Sequence, residues 1–154
     1  MFRSRRDHRT LKAPLHVYQN RLENIEEIID ELLQLAEEGT VIIVEGKRDV
    51  RSLNSLGIKG HLEIATHHPI SNFCEEIVNR NSGKNIIILT DWDRRGNILM
   101  SNLTKHFHSL GVNPDVRIRE RLMSIVQKEI KDVESLHTYV LKLRQITGSS
   151  TFLG

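Results

Sequence analysis

Hydrophobic positions along this chain alternate between helical and extended patterns. Apolar residues spaced three and four apart over 22–36 predict an amphipathic helix that begins with a capping box at Asn20 and Glu23 and ends near Gly39. The run from Thr40 to Val44 and the run from Asn85 to Leu89 predict two strands that are buried on both faces. Around them the pattern predicts a helix over 48–56, a strand over 61–65, helices over 70–79 and 95–110, a short strand over 114–118 and helical sequence over 120–147.

Strands and helices that trade places at this spacing are typical of βαβ units. We therefore predict an α/β fold, a Rossmann-like, open and mainly parallel four-stranded sheet flanked by helices, with an N-terminal amphipathic helix and C-terminal helices. In the last helix, Leu136, Val140, Leu143 and Thr147 form a largely apolar stripe that predicts core packing. The predicted organisation is a basic arm over 1–19, a single domain over 20–147 and a frayed tail over 148–154.

Composition agrees with one globular domain in a reducing compartment. The chain has 154 residues, of which 27% are charged and 38% hydrophobic. It contains no apolar run of roughly 18 residues and its N-terminus lacks the apolar core of a secretory signal, so we expect a cytoplasmic protein that does not associate with membranes. The single cysteine, Cys74, excludes an internal disulfide and a cysteine-built zinc site, and we expect it to be buried on a helix.

A small net charge hides an uneven distribution. The net charge is +2, yet residues 3–12 contain four arginines and one lysine against a single aspartate. A basic arm of this kind can bind phosphate backbones. A solvated, frayed terminus is an equally good interpretation on the sequence alone.

Acidic residues follow both apolar strands. Glu45 follows the first, while Asp91 and Asp93 follow the second. In an open α/β sheet the ligand site lies outside the carboxyl ends of the strands, so these acids converge if the two strands are neighbours. Three close carboxylates repel one another, and a hard divalent cation such as magnesium would compensate them. The alternative is that Asp93 caps the next helix and Asp91 is a surface turn residue.

Cations and glycines flank the same acids, namely Lys47, Arg48, Arg94 and Arg95 with Gly46 and Gly96. Cations in this position suit a polyanionic backbone, although ordinary solvation also explains them. The glycines would allow a close approach to phosphate, or would serve tight turns.

Two further residues are candidates for the site. Asp49 lies one helical turn after Glu45 and could reach the site, but we favour a structural role in which its charge stabilises the helix N-terminus. His67, beside His68 in the loop after the second strand, could contact substrate or metal, although such a loop is more often simply exposed to solvent.

Two stretches, Val41-Ile-Ile-Val-Glu-Gly-Lys47 with Asp49 and Ile87-Ile-Leu-Thr-Asp-Trp-Asp-Arg-Arg-Gly96, together resemble the two signatures of the Toprim domain. This catalytic fold is shared by topoisomerases and bacterial primases, and the resemblance covers roughly residues 39–120. It implies that Glu45 is the general acid/base and can touch the metal, and that Asp91 and Asp93 bind magnesium. Two Mg²⁺ ions per chain, with Mn²⁺ as a substitute, are implied in the same way. Family members often carry a glutamate soon after the glycine, where this chain has Asn97, so a third acidic ligand there lacks support.

The sequence lacks features that two of the activities of the Toprim family require. A topoisomerase needs a nucleophilic tyrosine on a separate domain, and neither Tyr18 nor Tyr139 has such a setting. A primase usually carries a cysteine-rich zinc module, and this chain has a single cysteine. The chain is most similar to small members such as the ribonucleases that mature 5S ribosomal RNA. Our first hypothesis is magnesium-dependent phosphodiester chemistry on RNA or DNA. The alternative is a module that binds nucleic acid or a partner in replication or RNA processing without catalysis, and the oligomeric state stays open.

Overall fold

The computed structural model describes residues 11–148, which form a parallel sheet and six α-helices. The elements in chain order are α1 (Leu15–Glu37), β1 (Val41–Val44), α2 (Lys47–Ser55), β2 (Leu62–Ile64), α3 (Ile70–Arg80), β3 (Ile86–Ile88), α4 (Arg94–Ser109), α5 (Arg117–Val126) and α6 (Leu136–Thr147). A 3₁₀ helix, Ala65–His67, follows β2. The predicted basic arm up to residue 10 and the predicted tail from residue 149 lie outside the described residues.

Helix α1 begins five residues before the predicted start at Asn20. Pro14 is its N-cap with extended backbone, and Asn20 lies inside the helix, so the predicted capping box with Glu23 does not define the start. The apolar face extends further back than its buried residues indicate, because Tyr18 packs against the core. At the other end Gly39 has a φ of 95°, in the left-handed region that favours glycine after a helix.

The sheet has the order β2-β1-β3 and all its pairs are parallel. In the central strand β1, Ile42 is paired with Leu62 on one side and with Ile87 on the other. All four residues of β1 are buried, as expected for a strand that is covered on both faces. The α/β fold class and the open parallel sheet are therefore confirmed.

Two apolar clusters cover the faces of this sheet. One face packs against α1, α5 and α6, where Leu136, Val140 and Leu143 are fully buried as the stripe in the last helix predicted. The other face packs against α3 and α4, and Cys74 is buried there on a helix as expected. Because both faces are covered, only the edges and ends of the strands are left for a site.

The predicted number of four strands is wrong: within the described residues the sheet has three. The fourth predicted strand, over 114–118, is reduced to a single parallel bridge between Asp115 and Ile87. The side chain of Asp115 accepts a hydrogen bond of 2.8 Å from the backbone N–H of Arg117. A carboxylate that bonds the backbone two residues further on forms a turn, so the chain leaves the sheet and begins α5 instead.

The predicted helical sequence over 120–147 consists of two helices, α5 and α6, joined by residues 127–135. These connecting residues run beside the end of β3 and contact the segment after it, as described below. Among residues 11–148, no helix combines the length and the apolar character needed to cross a bilayer.

Candidate metal and nucleic-acid site

Glu45 connects the ends of the three strands. It directly follows β1, and its Oε2 accepts a hydrogen bond of 2.9 Å from the backbone N–H of Asp91, just beyond β3. The hydroxyl of Thr66, which follows β2, donates to the backbone oxygen of Glu45 at 2.7 Å. The structure thus brings Glu45 and Asp91 together at one edge of the sheet, where the acids were predicted to meet.

Asp91 has a half-buried carboxylate in an acidic surrounding. Its Oδ1 accepts a hydrogen bond of 2.9 Å from the backbone N–H of Val133, in the segment between α5 and α6. Burial raises the pKa of Asp91 to about 7; the Val133 hydrogen bond opposes this rise, and the charges of Asp49, Glu45 and Asp132 add to it. Burial and the neighbouring carboxylates therefore both disfavour the charged form of Asp91.

Asp93 is exposed and caps α4. Its Oδ1 accepts a hydrogen bond of 2.8 Å from the backbone N–H of Gly96, which is the helix-capping role that the sequence offered as the alternative. Within residues 11–148, no three His, Cys, Asp or Glu side chains form a ready-made set of metal ligands. Glu45, Asp91 and Asp93 lie in neighbouring segments of the fold, but each of the three has one carboxylate oxygen that accepts a backbone N–H.

Asp49 closes the first turn of α2. It is 5% exposed, and its Oδ2 accepts a hydrogen bond of 3.0 Å from the backbone N–H of Gly46, the N-cap residue. Burial raises the pKa of Asp49 to about 6; the Gly46 hydrogen bond opposes this rise and the charge of Glu45 supports it. The carboxylate of Asp49 therefore binds the backbone of the first motif through this hydrogen bond.

The two glycines of the motifs differ in their surroundings. A Cβ added to Gly96 would collide with the carbonyl oxygen of Asp91 and would lie 2.9 Å from Oε2 of Glu45. A Cβ added to Gly46 would meet nothing within 4 Å. Gly96 is therefore required for the close packing of α4 against both acidic segments, and Gly46 is not.

The four predicted phosphate-binding cations, Lys47, Arg48, Arg94 and Arg95, are all exposed in the first turns of α2 and α4. These first turns directly follow the two acidic segments, so the cations lie next to the acids in the chain. Arg48 forms an exposed pair with Glu134 at 3.7 Å, which is a weak interaction. His67 is exposed at the end of the 3₁₀ helix, next to the Thr66 that contacts Glu45.

Sequence reasoning missed Arg119, a buried arginine behind the acids. It is 2% exposed and donates hydrogen bonds to the backbone oxygens of Thr90, at 2.9 Å, and Asp91, at 2.6 Å. A third bond, of 2.6 Å, reaches Oδ1 of Asn97. The available signal was its spacing, since Arg119 lies three residues before Leu122 on the apolar stripe of α5.

The segment between α5 and α6 was also missed. The indole Nε1 of Trp92 donates to the backbone oxygen of Ile130 at 2.7 Å. The backbone N–H of Trp92 donates to the backbone oxygen of Lys131 at 3.1 Å. With the bond from Val133 to Asp91, these contacts fasten residues 130–133 to the second acidic segment. These contacts could not be predicted from a local sequence pattern, because each joins residues about forty positions apart.

The donor set at this edge suits magnesium. Carboxylate oxygens are the ligands that Mg²⁺ prefers, and the ion commonly takes one or two of them and completes its shell with water and substrate phosphates. A partial set such as Glu45, Asp91 and Asp93 is therefore compatible with Mg²⁺. A cation would also favour the charged form of Asp91, whose pKa is raised mainly by burial and further by the neighbouring carboxylates.

Comparisons with known proteins agree with this architecture. A family model of the Toprim domain matches residues 40–134, a range that contains both acidic segments, Arg119 and most of the connecting segment, and the chain belongs to the Toprim domain family. Membership indicates a metal-dependent function related to nucleic acids.

Several proteins are similar to most of this chain. The UPF0292 protein of Methanosarcina acetivorans is 53% identical over 136 residues, which cover 88% of this chain and 93% of that protein. The UPF0292 protein of Methanocaldococcus jannaschii is 42% identical over 120 residues, which cover 78% and 92% of the two chains. A solved structure of a protein from Aquifex aeolicus, 25% identical, superposes with a TM-score of 0.59 over 71% of this chain and 95% of that one.

Proposed function

We propose that this chain is a magnesium-dependent phosphodiesterase that acts on RNA or DNA, a small nuclease or RNA-processing enzyme of the Toprim type. The observation that carries the proposal is the hydrogen bond from the backbone N–H of Asp91 to Oε2 of Glu45. It holds a carboxylate suited to proton transfer beside the second acidic motif, and exposed cations follow both motifs in the chain.

Glu45 is assigned the proton transfer. One of its oxygens is held by the N–H of Asp91, which fixes the orientation of a side chain that remains partly exposed. A positioned, accessible carboxylate can accept a proton from an attacking water or hydroxyl group and return it to the leaving oxygen.

Asp91 and Asp93, with Glu45, are assigned to hold Mg²⁺, two ions per chain with Mn²⁺ as a substitute. Bound magnesium supplies stabilisation of the negative charge that develops on the phosphodiester oxygens. Isothermal titration gives the number of ions directly, and a stoichiometry of one would correct this part of the proposal while the assignment of the aspartates stands.

Lys47, Arg48, Arg94 and Arg95 are assigned to backbone phosphates of the substrate. Exposed cations next to the acidic segments favour a polyanionic substrate over a small neutral one. The basic arm of residues 3–12 extends the same assignment. Deleting residues 1–12 would then make nucleic-acid affinity less sensitive to salt, and an unchanged salt dependence would exclude the arm from the interface.

The experiment that tests the proposal is a cleavage screen with purified wild type and Glu45→Gln. Labelled structured RNA, single-stranded RNA, and single- and double-stranded DNA are incubated with Mg²⁺ or with EDTA. We expect Mg²⁺-dependent cleavage by the wild type and a loss of about a hundredfold or more in Glu45→Gln. Glu75→Gln, which changes an exposed glutamate in the middle of α3 outside both acidic segments, is the matched control. Equal rates in wild type and Glu45→Gln would overturn the proposal.

A second candidate is a module that binds nucleic acid or a protein partner without catalysis. It is favoured by the aspartates themselves, since the carboxylates of Asp91 and Asp93 both accept backbone N–H groups. Binding of the same nucleic acids that is unchanged by EDTA, with no cleavage of any of them, would establish this candidate over the first.

A further inference from the structure

Arg119 is a buried cation whose hydrogen bonds all end on the second acidic segment. Its three acceptors, the backbone oxygens of Thr90 and Asp91 and the side chain of Asn97, lie between the end of β3 and the first turn of α4. Among the described residues, no carboxylate oxygen comes within 4.0 Å of its guanidinium nitrogens. The arginine is thus bonded to the backbone that carries the acids and is not paired with the acids themselves.

Burying a guanidinium without an ion-pair partner is costly, and an apolar residue would fill this position on the stripe of α5 at less cost. Burial lowers the pKa of Arg119, while the charges of Glu45, Asp91 and Asp93 favour its charged form. Stability alone therefore does not explain an arginine at this position. Its hydrogen bonds to residues 90–97 indicate that its role concerns the second acidic segment.

Arg119 bonds two adjacent residues of the backbone at once. The planar guanidinium spans two successive backbone oxygens, a fixed arrangement that a flexible ammonium group does not reproduce. A second contact within the same segment is a hydrogen bond of 2.9 Å, which Thr90 Oγ1 donates to the backbone oxygen of Gly96. Between these two ties the backbone of Asp91 has little freedom.

We propose that Arg119 is the positioning residue of the metal site: it fixes the backbone of residues 90–97 so that Asp91 and Asp93 are presented together to Mg²⁺. This inference rests on the proposed metal site, but it does not require cleavage of nucleic acid. Arg119 touches neither metal nor substrate in this role, because it acts through the backbone oxygens that it holds.

The two effects of removing Arg119 have opposite signs. If its charge alone mattered, an uncharged residue would strengthen Mg²⁺ binding, because the repulsion between two cations would disappear. If positioning dominates, Mg²⁺ binding weakens, as it does about ten- to a hundredfold when residues that orient metal ligands are replaced. A loss of global stability alone does not change the Mg²⁺ affinity, as long as the protein remains fully folded under the conditions of the measurement.

The test is isothermal titration of Mg²⁺ into the full chain as wild type, Arg119→Met, Arg119→Lys and Arg121→Met, at a temperature where circular dichroism shows each protein to be folded. We expect an affinity about tenfold or more lower for Arg119→Met. Arg119→Lys should bind with intermediate affinity, because it keeps the charge but cannot span both backbone oxygens. Arg121, exposed on the same helix and paired with Glu31 at 2.6 Å, is the control whose replacement should leave affinity unchanged.

Affinity in Arg119→Met equal to or higher than that of the wild type would overturn the inference. If Arg119→Met does not fold, Arg119→Lys decides the question, since full wild-type affinity in that variant would show that the spanning geometry is not needed. A wild type that binds Mg²⁺ in this experiment but cleaves no nucleic acid leaves Arg119 in its role and overturns only the phosphodiesterase proposal. A wild type that binds no Mg²⁺, with or without nucleic acid, overturns both.

Discussion

The backbone N–H of Asp91 lies 2.9 Å from Oε2 of Glu45, a contact between residues that are 46 positions apart in the chain. Because of this hydrogen bond, the segments after β1 and β3 are one structural unit. The bond also depends on a residue outside the pair, since Gly96 lies against both partners with no room for a side chain.

Replacement of Gly96 by alanine should separate the two acidic segments. The added Cβ has to displace either the backbone of Asp91 or the side chain of Glu45, so we expect a loss of roughly 1–3 kcal/mol in unfolding free energy. Mg²⁺ affinity should fall in the same variant. Urea denaturation and isothermal titration measure the two effects.

Gly46→Ala is the matched control for Gly96→Ala. Gly46 has extended backbone and open space around its Cα, so alanine should change the unfolding free energy by no more than about 0.5 kcal/mol. Equal stability of the two alanine variants would show that the close approach at Gly96 is not needed.

The parts of the fold that could be predicted are those in which local pattern and burial agree. Apart from Asn85, the runs ending at Val44 and Leu89 consist of β-branched residues and leucine, so strands buried on both faces were predicted. Their acids follow at once, and the general rule that parallel strands open their site at the carboxyl ends then placed Glu45 beside Asp91.

The parts that could not be predicted depend on single polar contacts. Asp115 ends the fourth strand after one bridge because its carboxylate bonds the N–H of Arg117, a choice between strand and turn that composition does not decide. The spacing of Arg119 on the apolar stripe of α5 indicates burial, but its role depends on acceptors 22 to 29 positions away in the chain, which the spacing does not reveal. In the same way, nothing local indicates that Asp91 accepts the N–H of Val133.

Asp91 should make the metal-free protein less stable as the pH rises. Its pKa is about 7 in the folded protein against an ordinary value of 3.8, so folding favours the protonated form. The resulting stability is fully present below about pH 4, is lost as the pH rises through about 7, and does not change further above that. The buried carboxyl of Asp49, with a pKa of about 6, acts in the same direction.

Asp91→Asn should remove most of this pH dependence. Asparagine keeps an oxygen that can accept the N–H of Val133 but carries no charge, so the variant should be more stable than wild type at about pH 8. Because the group is half-buried and solvent screens its charge, we expect a gain of roughly 1–2 kcal/mol. Urea denaturation in EDTA at about pH 5 and about pH 8 measures the difference. A wild-type pH slope in the variant would contradict the assignment. Added Mg²⁺ should stabilise the wild type at the higher pH and leave Asp91→Asn unchanged.

Trp92 should report metal binding through its fluorescence. It is the only tryptophan of the chain, lies between Asp91 and Asp93, and bonds the backbone oxygen of Ile130 through its indole N–H. A cation bound by the flanking aspartates changes the electric field at the indole, so we expect a saturable shift or change in intensity of emission on addition of Mg²⁺. The double variant Asp91→Asn, Asp93→Asn should show no such change. A response of equal size in the double variant would place the cation elsewhere.

Arg94 and Arg95 should determine how steeply nucleic-acid affinity depends on salt. Each phosphate contact that is lost reduces the slope of log affinity against log salt concentration by about 0.9 on duplex DNA, or about 0.7 on a single strand. Replacing both arginines with glutamine should therefore flatten the slope and weaken binding at low salt. Filter binding over a series of salt concentrations measures both quantities.

The control for that experiment is a double glutamine variant of Arg80 and Lys105, which are exposed on α3 and α4. It removes the same charge without touching the first turn of α4. If the slope falls equally in both double variants, the nucleic acid responds to net charge alone and not to the acidic edge. If it falls only when Arg94 and Arg95 are replaced, the phosphates lie at the first turn of α4, within reach of the carboxylates that would act on them.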